Sequence, residues 1–474
     1  MEREISKNKF SVGEQIKTRE IIPPPGFGIF WEIVPATRCN FKCLTCYAAD
    51  NARPDTRFLE WEGMKTALDR AVSLGVRTID ILGGEPLTYQ PLEKFIGYFK
   101  GKVPEGFCGV VSNGSLLTER RARSLLNSGL DQLTISLDGI KSETNDANRG
   151  EGTFPRILAG IENALNVGIL TTIAYTITPF NTEETSELFS FIQKLGVKAL
   201  AIQITERSGR AQRLLYKNSF DRVEGLKAIC RMYNQRPTVY TEISTRSLFK
   251  KFLDHFYNAG LALSDVRCNG GLGTFMVSSG GDLFPCSEFA YFPNGKQRNK
   301  GVNLVTDNFR KIEKSVRQRY ANFNGTIGAL EAENFTTCQD CAYKESCAPC
   351  PLINPSGVVP ECEWVKAQTL ATNEKILNSE VKLLISPTPF GSSEIMFRVA
   401  SQEIPLVIPM AEEEFKKLIA LGRISQIVKK YEDETGNYKD AETKVIEFLC
   451  KLRSHRILEI DPDPNTICQC LSSS

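Results

Sequence analysis

Short runs rich in β-branched residues alternate with longer amphipathic segments between about residues 30 and 205. Runs of the first kind are typical of strands, and segments of the second kind are typical of helices. The predicted strands are residues 29–34, 78–82, 109–112, 132–137, 171–177 and 199–204. The predicted helices are residues 61–74, 90–99, 119–127, 154–167 and 183–195. Six βα units predict an α/β fold, with a parallel sheet curled into a partial (β/α)6 TIM-like barrel.

A different pattern begins after residue 364. Residues 364–379 are helix-like and indicate a linker. Beyond them, the predicted strands are residues 381–385, 395–399, 405–408 and 457–460, and the predicted helices are residues 412–421, 424–431 and 441–452. Strands followed by helices predict a separate small α+β domain of winged-helix-like form.

Three cysteines, Cys39, Cys43 and Cys46, follow the first predicted strand with the spacing CxxxCxxC. Three thiolates on one tight loop can hold three irons of a [4Fe–4S] cluster and leave the fourth iron without a protein ligand. The spacing alone would also fit a zinc site with one further ligand, or a group of reduced thiols. An iron with an open position is a place for chemistry.

Motifs rich in glycine and polar residues follow three other predicted strands. They are Gly83-Gly84-Glu85-Pro86, Ser112-Asn113-Gly114 and Ser136-Leu137-Asp138-Gly139. Loops at the carboxyl ends of barrel strands line the active site, so these motifs and the cysteines are predicted to meet at one edge of the sheet. Taken singly, the motifs would also fit ordinary turns.

Together, the cysteine triplet and these motifs resemble the radical S-adenosylmethionine (SAM) enzymes in order and spacing. The resemblance implies that Cys39, Cys43 and Cys46 are the catalytic cysteines and hold a [4Fe–4S] cluster whose open iron chelates SAM. One electron then cleaves SAM, and the resulting 5′-deoxyadenosyl radical abstracts a hydrogen from the substrate. The cofactor performs the difficult step, and the protein orients it.

The same resemblance assigns contacts with SAM to the glycine motif. Gly83 and Gly84 would let the backbone approach the methionyl amine, and Glu85 would accept a hydrogen bond from it. Three further residues are assigned to the cofactor site, namely Pro86, Ser112 and Asn113.

Other contacts with SAM are implied further along the chain. Ser136 and Asp138 would bond ribose hydroxyls, and Arg149 resembles the family arginine that faces the SAM carboxylate. Thr45 departs from the family pattern, which usually has an aromatic residue just before the third cysteine. Tyr47, which follows that cysteine, is assigned to the cofactor site instead.

A second group of cysteines resembles the SPASM extension of radical SAM enzymes, which carries two auxiliary iron–sulfur clusters. By that resemblance, the distal cluster is held by Cys338, Cys341, Cys347 and Cys362. The cluster nearer the active site is held by Cys268, Cys286 and Cys350, so that its fourth iron would be open or held by Asp265. A zinc ribbon is the alternative for the CxxC-x5-CxxC run.

The C-terminal pattern resembles the peptide chaperone of the pyrroloquinoline quinone pathway, which captures the leader of a ribosomally made precursor. A winged-helix packing or dimerisation domain is the alternative. The predicted domains are residues 1–27 (N-terminal extension), 28–215 (radical SAM partial barrel), 216–262 (helical bridge), 263–364 (SPASM domain), 365–380 (linker) and 381–474 (leader-recognition domain).

Composition limits the possible classes of function. The chain has 58 basic and 56 acidic residues, a net charge of +2, so no basic stripe favours nucleic acid or a membrane surface. No apolar run reaches the roughly 18 residues of a membrane span, and we expect a cytoplasmic protein. Its 15 cysteines are then expected to be metal ligands rather than disulfides. Only two histidines are present, which nearly excludes charge-relay catalysis.

The combined prediction is a radical SAM/SPASM enzyme that installs a thioether, carbon–carbon or ether crosslink in a precursor peptide. Its predicted cofactors are SAM and three [4Fe–4S] clusters, and its predicted electron donor is a flavodoxin or ferredoxin. Formylglycine formation in a sulfatase and dehydrogenation of a small molecule are the alternatives among enzymes. Outside enzymes, the alternative is an iron–sulfur electron carrier or scaffold.

Overall fold

The computed structural model describes most of the barrel region and parts of the remainder. The described residues are 27–48, 58–206, 209–215, 220–234, 239–244, 247–257, 259, 274–287, 302–316, 360–384, 387–389, 394–397, 406–408, 410–436, 441–454 and 457–461. Among them, no helix is long and apolar enough to cross a membrane.

A ten-stranded sheet forms the centre of the fold. Its strands are β1 (Phe27–Val34), β2 (Val76–Gly83), β3 (Phe107–Ser112), β4 (Gln132–Ser136), β5 (Thr171–Ile177), β6 (Ala199–Ile204), β7 (Tyr240–Ser244), β8 (Thr274–Val277), β9 (Asp282–Phe284) and β10 (Val302–Asn303). Strands β1 to β7 lie side by side in chain order, and all of these pairs are parallel. Strand β8 pairs in parallel with the other edge of β1, and β9 and β10 continue the sheet in antiparallel. The mostly parallel sheet is consistent with the predicted partial barrel.

Helices connect the parallel strands. They are α1 (Trp61–Ser73), α2 (Leu92–Lys102), α3 (Glu119–Asn127), α4 (Ser142–Arg149), α5 (Thr153–Asn166), α6 (Leu188–Lys194), α7 (Gly209–Leu214), α8 (Arg222–Tyr233) and α9 (Ser247–Tyr257), with 3₁₀ turns at Pro86–Thr88 and Glu183–Glu187. All six predicted strands are present. The helix predicted at 183–195 is instead a 3₁₀ turn followed by α6, and the sequence analysis did not predict α4.

Alternate residues of each strand face opposite sides of the sheet. On β1, Ile29, Trp31 and Ile33 are buried, and the ring of Trp31 lies 5.2 Å from that of Phe95 on α2. These positions therefore face the helices. The intervening positions, such as Phe30, face the concave side of the sheet, which we call the lumen.

Residues 216–262, predicted as a helical bridge, include a strand as well as helices. Strand β7 lies in this range and extends the parallel sheet beyond β6. Its sequence is polar at alternate positions, and Tyr240 is 71% exposed. Sequence analysis did not predict this strand, although Tyr240, Thr241 and Ile243 are residue types enriched in strands.

The described C-terminal residues form two small sheets and four helices. The strands are β11 (Glu380–Leu383), β12 (Thr388–Pro389), β13 (Ile395–Phe397), β14 (Leu406–Ile408) and β15 (Leu458–Asp461), and the helices are α10 (Pro360–Ile376), α11 (Glu412–Ile419), α12 (Ile424–Thr435) and α13 (Ala441–Ser454). Strands β11 and β15 pair in antiparallel, and β13 lies between β12 and β14. Helix α13 packs against α9. The predicted strands and helices are thus present, and the winged-helix arrangement stays a prediction.

Candidate active site

The cysteine loop follows β1 and lies directly against the glycine motif that ends β2. The Gly84 N–H donates to the carbonyl oxygen of Val34, and the Glu85 N–H donates to that of Arg38, both at 3.0 Å. A Cβ at Gly83 would collide with the Val34 carbonyl, and one at Gly84 would lie 2.6 Å from the Arg38 carbonyl. Both glycines therefore allow the chain's own cysteine loop to approach closely. Their predicted contact with the methionyl amine stays a prediction.

The carboxylate of Glu85 joins the ends of β2 and β3. Oε1 accepts hydrogen bonds from the Leu87 N–H at 3.0 Å and the Ser112 hydroxyl at 2.7 Å, and Oε2 accepts one from the Asn113 N–H at 2.8 Å. The side chain is 1% exposed, and its burial raises the pKa of Glu85, whereas the three donors lower it. Pro86, also buried, begins the 3₁₀ turn that follows. Both oxygens of Glu85 are thus engaged within the chain.

Asn113 connects the end of β3 with the cysteine loop. Its Nδ2 donates to Oδ1 of Asn40 at 2.9 Å, and Nδ2 of Asn40 donates to the Ser115 hydroxyl at 2.9 Å. Since Asn40 follows Cys39 directly, these bonds fix the loop next to its first cysteine.

Helix α4 holds the segment between the second and third cysteines. The carbonyl oxygen of Asn148 accepts from the Leu44 N–H at 2.9 Å, and its side-chain oxygen accepts from the Thr45 N–H at 3.1 Å. Its Nδ2 donates to the Thr45 hydroxyl at 3.0 Å. The last turn of a helix leaves carbonyl oxygens without intrahelical partners, and the cysteine loop supplies one here.

Asp138 lies beneath the same helix and is fully buried. Its Oδ1 accepts from the Thr176 N–H at 2.9 Å. Its Oδ2 accepts from Nδ2 of Asn148 at 2.6 Å and forms an ion pair with Nε of Arg149 at 2.8 Å. Because the carboxylate is fully buried, a contact with a ribose hydroxyl would require the residues around it to move. The carboxylate instead positions Arg149 beside the cysteine loop.

Two other residues predicted to bind SAM lie on the lumen side. Ser136 is half-buried at the end of β4, on the lumen face. Tyr47 packs into an apolar cluster around Ala48 and Met276 that also includes Leu82. Met276 of β8 and Phe284 of β9 thus pack beside the end of the cysteine loop.

The electrostatics of the loop favour protonated thiols in the cluster-free protein. Burial raises the pKa of Cys39, as do the neighbouring Glu85 carboxylate and the other two cysteines, whereas the hydrogen bond from the Phe41 N–H lowers it; together these effects bring the pKa to about 11. Burial also raises the pKa of Cys43, which Arg149 opposes from 4.0 Å. Thiolates are the ligand form of cysteine, so iron binding would release protons here.

The three thiols fit an iron–sulfur cluster in their chemistry. All three are partly exposed on one loop and close enough to influence one another's charge. Among the described residues, no three cysteine, histidine or acidic side chains converge closely enough to hold one metal ion. A [4Fe–4S] cluster makes no such demand, because each thiolate binds a different iron.

The cysteines of the predicted auxiliary clusters are described only in part. Cys286 follows β9 by two residues, and Cys362 lies near the start of α10. The remaining predicted ligands lie outside the described residues, namely Cys268, Cys338, Cys341, Cys347 and Cys350, together with Asp265. Both auxiliary clusters therefore stay predictions.

Sequence analysis missed two supports of the cysteine loop. One is Asn148, described above. The other is the start of α7, where a Cβ at Gly209 would collide with the carbonyl oxygen of Cys46 and the Arg210 N–H donates to that oxygen at 3.1 Å. A glycine after β6 gives no local sign of this contact.

Comparison with known proteins finds a match to a family model in this region. Residues 33–192 match the Radical SAM superfamily. An AdoMet-dependent heme synthase from Methanosarcina barkeri (strain Fusaro) is 28% identical over 344 residues, which cover 68% of this chain and 90% of that protein.

Two solved structures share the fold. Streptococcus suis SuiB bound to the precursor peptide SuiA has a TM-score of 0.54 at 16% identity, over 69% of this chain and 72% of that one. Native anSMEcpe with bound AdoMet and Cp18Cys peptide has a TM-score of 0.53 at 18% identity, over 70% of this chain and 91% of that one. Identities this low establish a similar fold and nothing about the substrate.

Proposed function

Because residues 33–192 carry a radical SAM domain, we propose that this chain is a radical SAM enzyme that modifies a ribosomally made precursor peptide. The observation that carries the radical SAM chemistry is the direct bonding of the cysteine loop to the motifs that end β2 and β3 and to helix α4, which Asp138 after β4 supports. Cys39, Cys43 and Cys46 would hold the cluster, which together with SAM supplies the radical that abstracts a substrate hydrogen.

The residues around the loop have roles that do not depend on contact with the substrate. Glu85 and Asn113 hold the first cysteine in place, and Asn148 holds the second and third. Asp138 orients Arg149, whose guanidinium is the cationic group beside Cys43. That cation would accommodate the SAM carboxylate and the anionic thiolates.

The lumen supports a peptide rather than a polyanionic substrate. Strand register places Glu32, Asp80 and Glu242 on lumen-facing positions, and no lysine or arginine occupies such a position on β1 to β7 as the structure describes them. Phe30 (37% exposed) and Tyr240 (71% exposed) also face the lumen. Glu32 is 2% exposed and accepts from the Ser279 N–H, so the carboxylates within reach of a substrate are those of Asp80 and Glu242. Carboxylates beside aromatic rings suit a neutral or basic peptide segment.

A tetrapyrrole is the second candidate substrate, because the heme synthase relative is similar over most of its length. Heme-type tetrapyrroles carry propionate carboxylates, which would face the acidic lumen without a basic partner on the strands. Like charges brought together in a partly buried site oppose binding. The lumen therefore favours the peptide.

We further propose that the C-terminal residues bind the leader of the precursor by strand addition. Because β13 pairs on both sides, the available edges in the described three-stranded sheet belong to β12 and β14. From the sequence, four apolar residues are expected to form pockets for leader side chains, namely Phe397, Leu406, Phe415 and Ile419. Phe415 and Ile419 are buried at 0% and 7% exposure and are core residues. The side chains of Phe397 and Leu406 lie outside the description.

Co-expression with the peptide encoded beside the gene, followed by mass spectrometry, tests the function. A mass loss of two hydrogens per crosslink, absent when Cys39, Cys43 and Cys46 are replaced by Ala, would support it. Conversion of an iron porphyrin by the purified enzyme, with an unmodified peptide, would establish the tetrapyrrole reading instead.

Metal analysis tests the cofactors. Anaerobic reconstitution is expected to give close to three [4Fe–4S] clusters, and the triple alanine variant should keep two of them and lose 5′-deoxyadenosine formation. Zinc in place of iron at the downstream cysteines would contradict the auxiliary clusters.

Proline substitutions test strand addition at β14. Alternate residues of an edge strand direct their N–H groups to opposite sides, so one of Leu406→Pro and Val407→Pro removes a donor from the free edge and the other removes a ladder bond. We expect the variant that loses the N–H at the free edge to bind the leader more weakly in the full-length enzyme, with SAM cleavage intact. Equal leader affinity in both variants and the unaltered enzyme would exclude this edge.

A further inference from the structure

Asn148 uses all of its hydrogen-bonding groups on the catalytic loop and its support. Its backbone and side-chain oxygens accept from the N–H groups of Leu44 and Thr45, and its Nδ2 donates to Thr45 and to Asp138. The residue is 1% exposed. Leu44 and Thr45 are the two residues that separate the second and third cysteines, so the backbone carbonyl of Asn148 holds the first of them and its side chain holds the second.

The other end of the arrangement is Arg149, the next residue of α4. Asp138 bonds Asn148 and Arg149 through the same oxygen, at 2.6 and 2.8 Å. The position of Arg149 relative to Cys43 is therefore coupled to the bonds that Asn148 makes with the loop. A shift of the loop would therefore change the contact between Arg149 and Cys43 together with the bonds that Asn148 makes.

Thr45 stands where radical SAM enzymes usually have an aromatic residue. Its hydroxyl accepts from Nδ2 of Asn148 at 3.0 Å, and a planar ring at this position has no hydroxyl at that site to accept this donor. The threonine at position 45 and the asparagine at position 148 thus form one contact, between residues 103 positions apart.

We propose that Asn148 is a positioning residue, paired with Thr45, that sets the orientation of Cys43 and Cys46 toward Arg149. The catalytic consequence rests on the proposed radical SAM function. The pairing of Asn148 with Thr45 is a property of the chain and exists whether or not that function is correct.

The test compares Thr45→Val, Thr45→Ser, Asn148→Leu and the double variant of Thr45→Val with Asn148→Leu. Thr369→Val and Asn163→Leu are matched controls, because each loses one side-chain bond to a backbone carbonyl away from the cysteine loop. Thr369 of α10 donates to the Val365 carbonyl, and Asn163 of α5 donates to the Leu117 carbonyl. The first readout is the alkylation rate of Cys43 and Cys46 in cluster-free protein, followed by mass spectrometry of the peptides. The second is the titration by SAM of the EPR signal of the reduced cluster.

Loss of the single bond in Thr45→Val is expected to raise alkylation and the SAM concentration at half-saturation by about fivefold. Asn148→Leu, which also removes the bond to Asp138, should raise both at least as much, and Thr45→Ser should behave as the unaltered protein. The double variant should match Asn148→Leu, because the hydroxyl has no partner once Asn148 is gone. Iron content should stay the same throughout.

Equal values for Thr45→Val and Thr369→Val would overturn the pairing, as would independent, multiplicative effects in the double variant. If Asn148→Leu fails to fold, the comparison of Thr45→Val with Thr45→Ser still decides. If the alkylation rates change as expected but SAM does not alter the EPR signal of the unaltered protein or of any variant, the pairing of Asn148 with Thr45 is upheld and the proposed function is refuted.

Discussion

Replacement of Glu85 by Gln tests the contact that joins the ends of β2 and β3. In the structure, both oxygens accept, and the three donors are the Leu87 N–H, the Ser112 hydroxyl and the Asn113 N–H. Glutamine can accept at one oxygen only. Its amide group would face the Asn113 N–H, donor against donor, in a position that is 1% exposed.

The cost follows from these bonds. A hydrogen bond to a charged group contributes about 1.5–3 kcal/mol, and a buried N–H left unpaired costs about 1–3 kcal/mol. The two effects overlap, and the two remaining bonds lose their charge assistance, so we expect a local loss of about 2–4 kcal/mol. At about 1.4 kcal/mol per factor of ten, that is a decrease of about 30- to 1,000-fold in protection.

Hydrogen exchange of the anaerobically purified enzyme measures this directly, in peptides that contain the Leu87 and Asn113 amides. Glu119→Gln is the matched control, because its carboxylate forms only an exposed i,i+4 pair with Arg123, worth about 0.3–0.5 kcal/mol. If Glu85→Gln exchanges at the same rate as the control, the carboxylate does not hold the two motifs together and the reasoning is wrong.

Two other predictions concern residues near the site. Gly84→Ala should displace the cysteine loop and lower iron content, because the added Cβ would lie 2.6 Å from the Arg38 carbonyl. The control is Gly101→Ala, which has open space around it on α2 and should raise helix stability by about 0.5–1 kcal/mol. Equal iron content in the two variants would contradict the packing argument. Burial raises the pKa of Asp80 above 3.8, so the stability that its protonated form contributes below pH 3.8 is lost as pH rises through the folded-state pKa. Asp80→Asn should therefore have the higher melting temperature near neutral pH, with a difference that shrinks toward pH 4, and a constant difference across that range would refute the assignment.

The sequence by itself determined the strands of the barrel and the residue types of the site. All six predicted strands are present because their β-branched runs stand apart from the polar segments around them. The same local signal failed where polarity was high. Helix α4 and strand β7 carry few apolar residues, and the contacts that stabilise them lie far away in the chain.

Only the tertiary structure decided what each polar residue of the site does. An acidic residue after a strand is compatible with a ligand contact or with the chain's own donors, and in the structure both oxygens of Glu85 and of Asp138 accept from the chain itself. Their contacts with SAM stay a prediction. Asn148 meets Thr45 across 103 residues of sequence, a separation that no periodic pattern encodes. Local sequence fixes the period of an element, whereas hydrogen bonds between distant loops form only when the sheet brings strand ends together. The sequence could therefore name the residues of the site, and the fold assigned their partners.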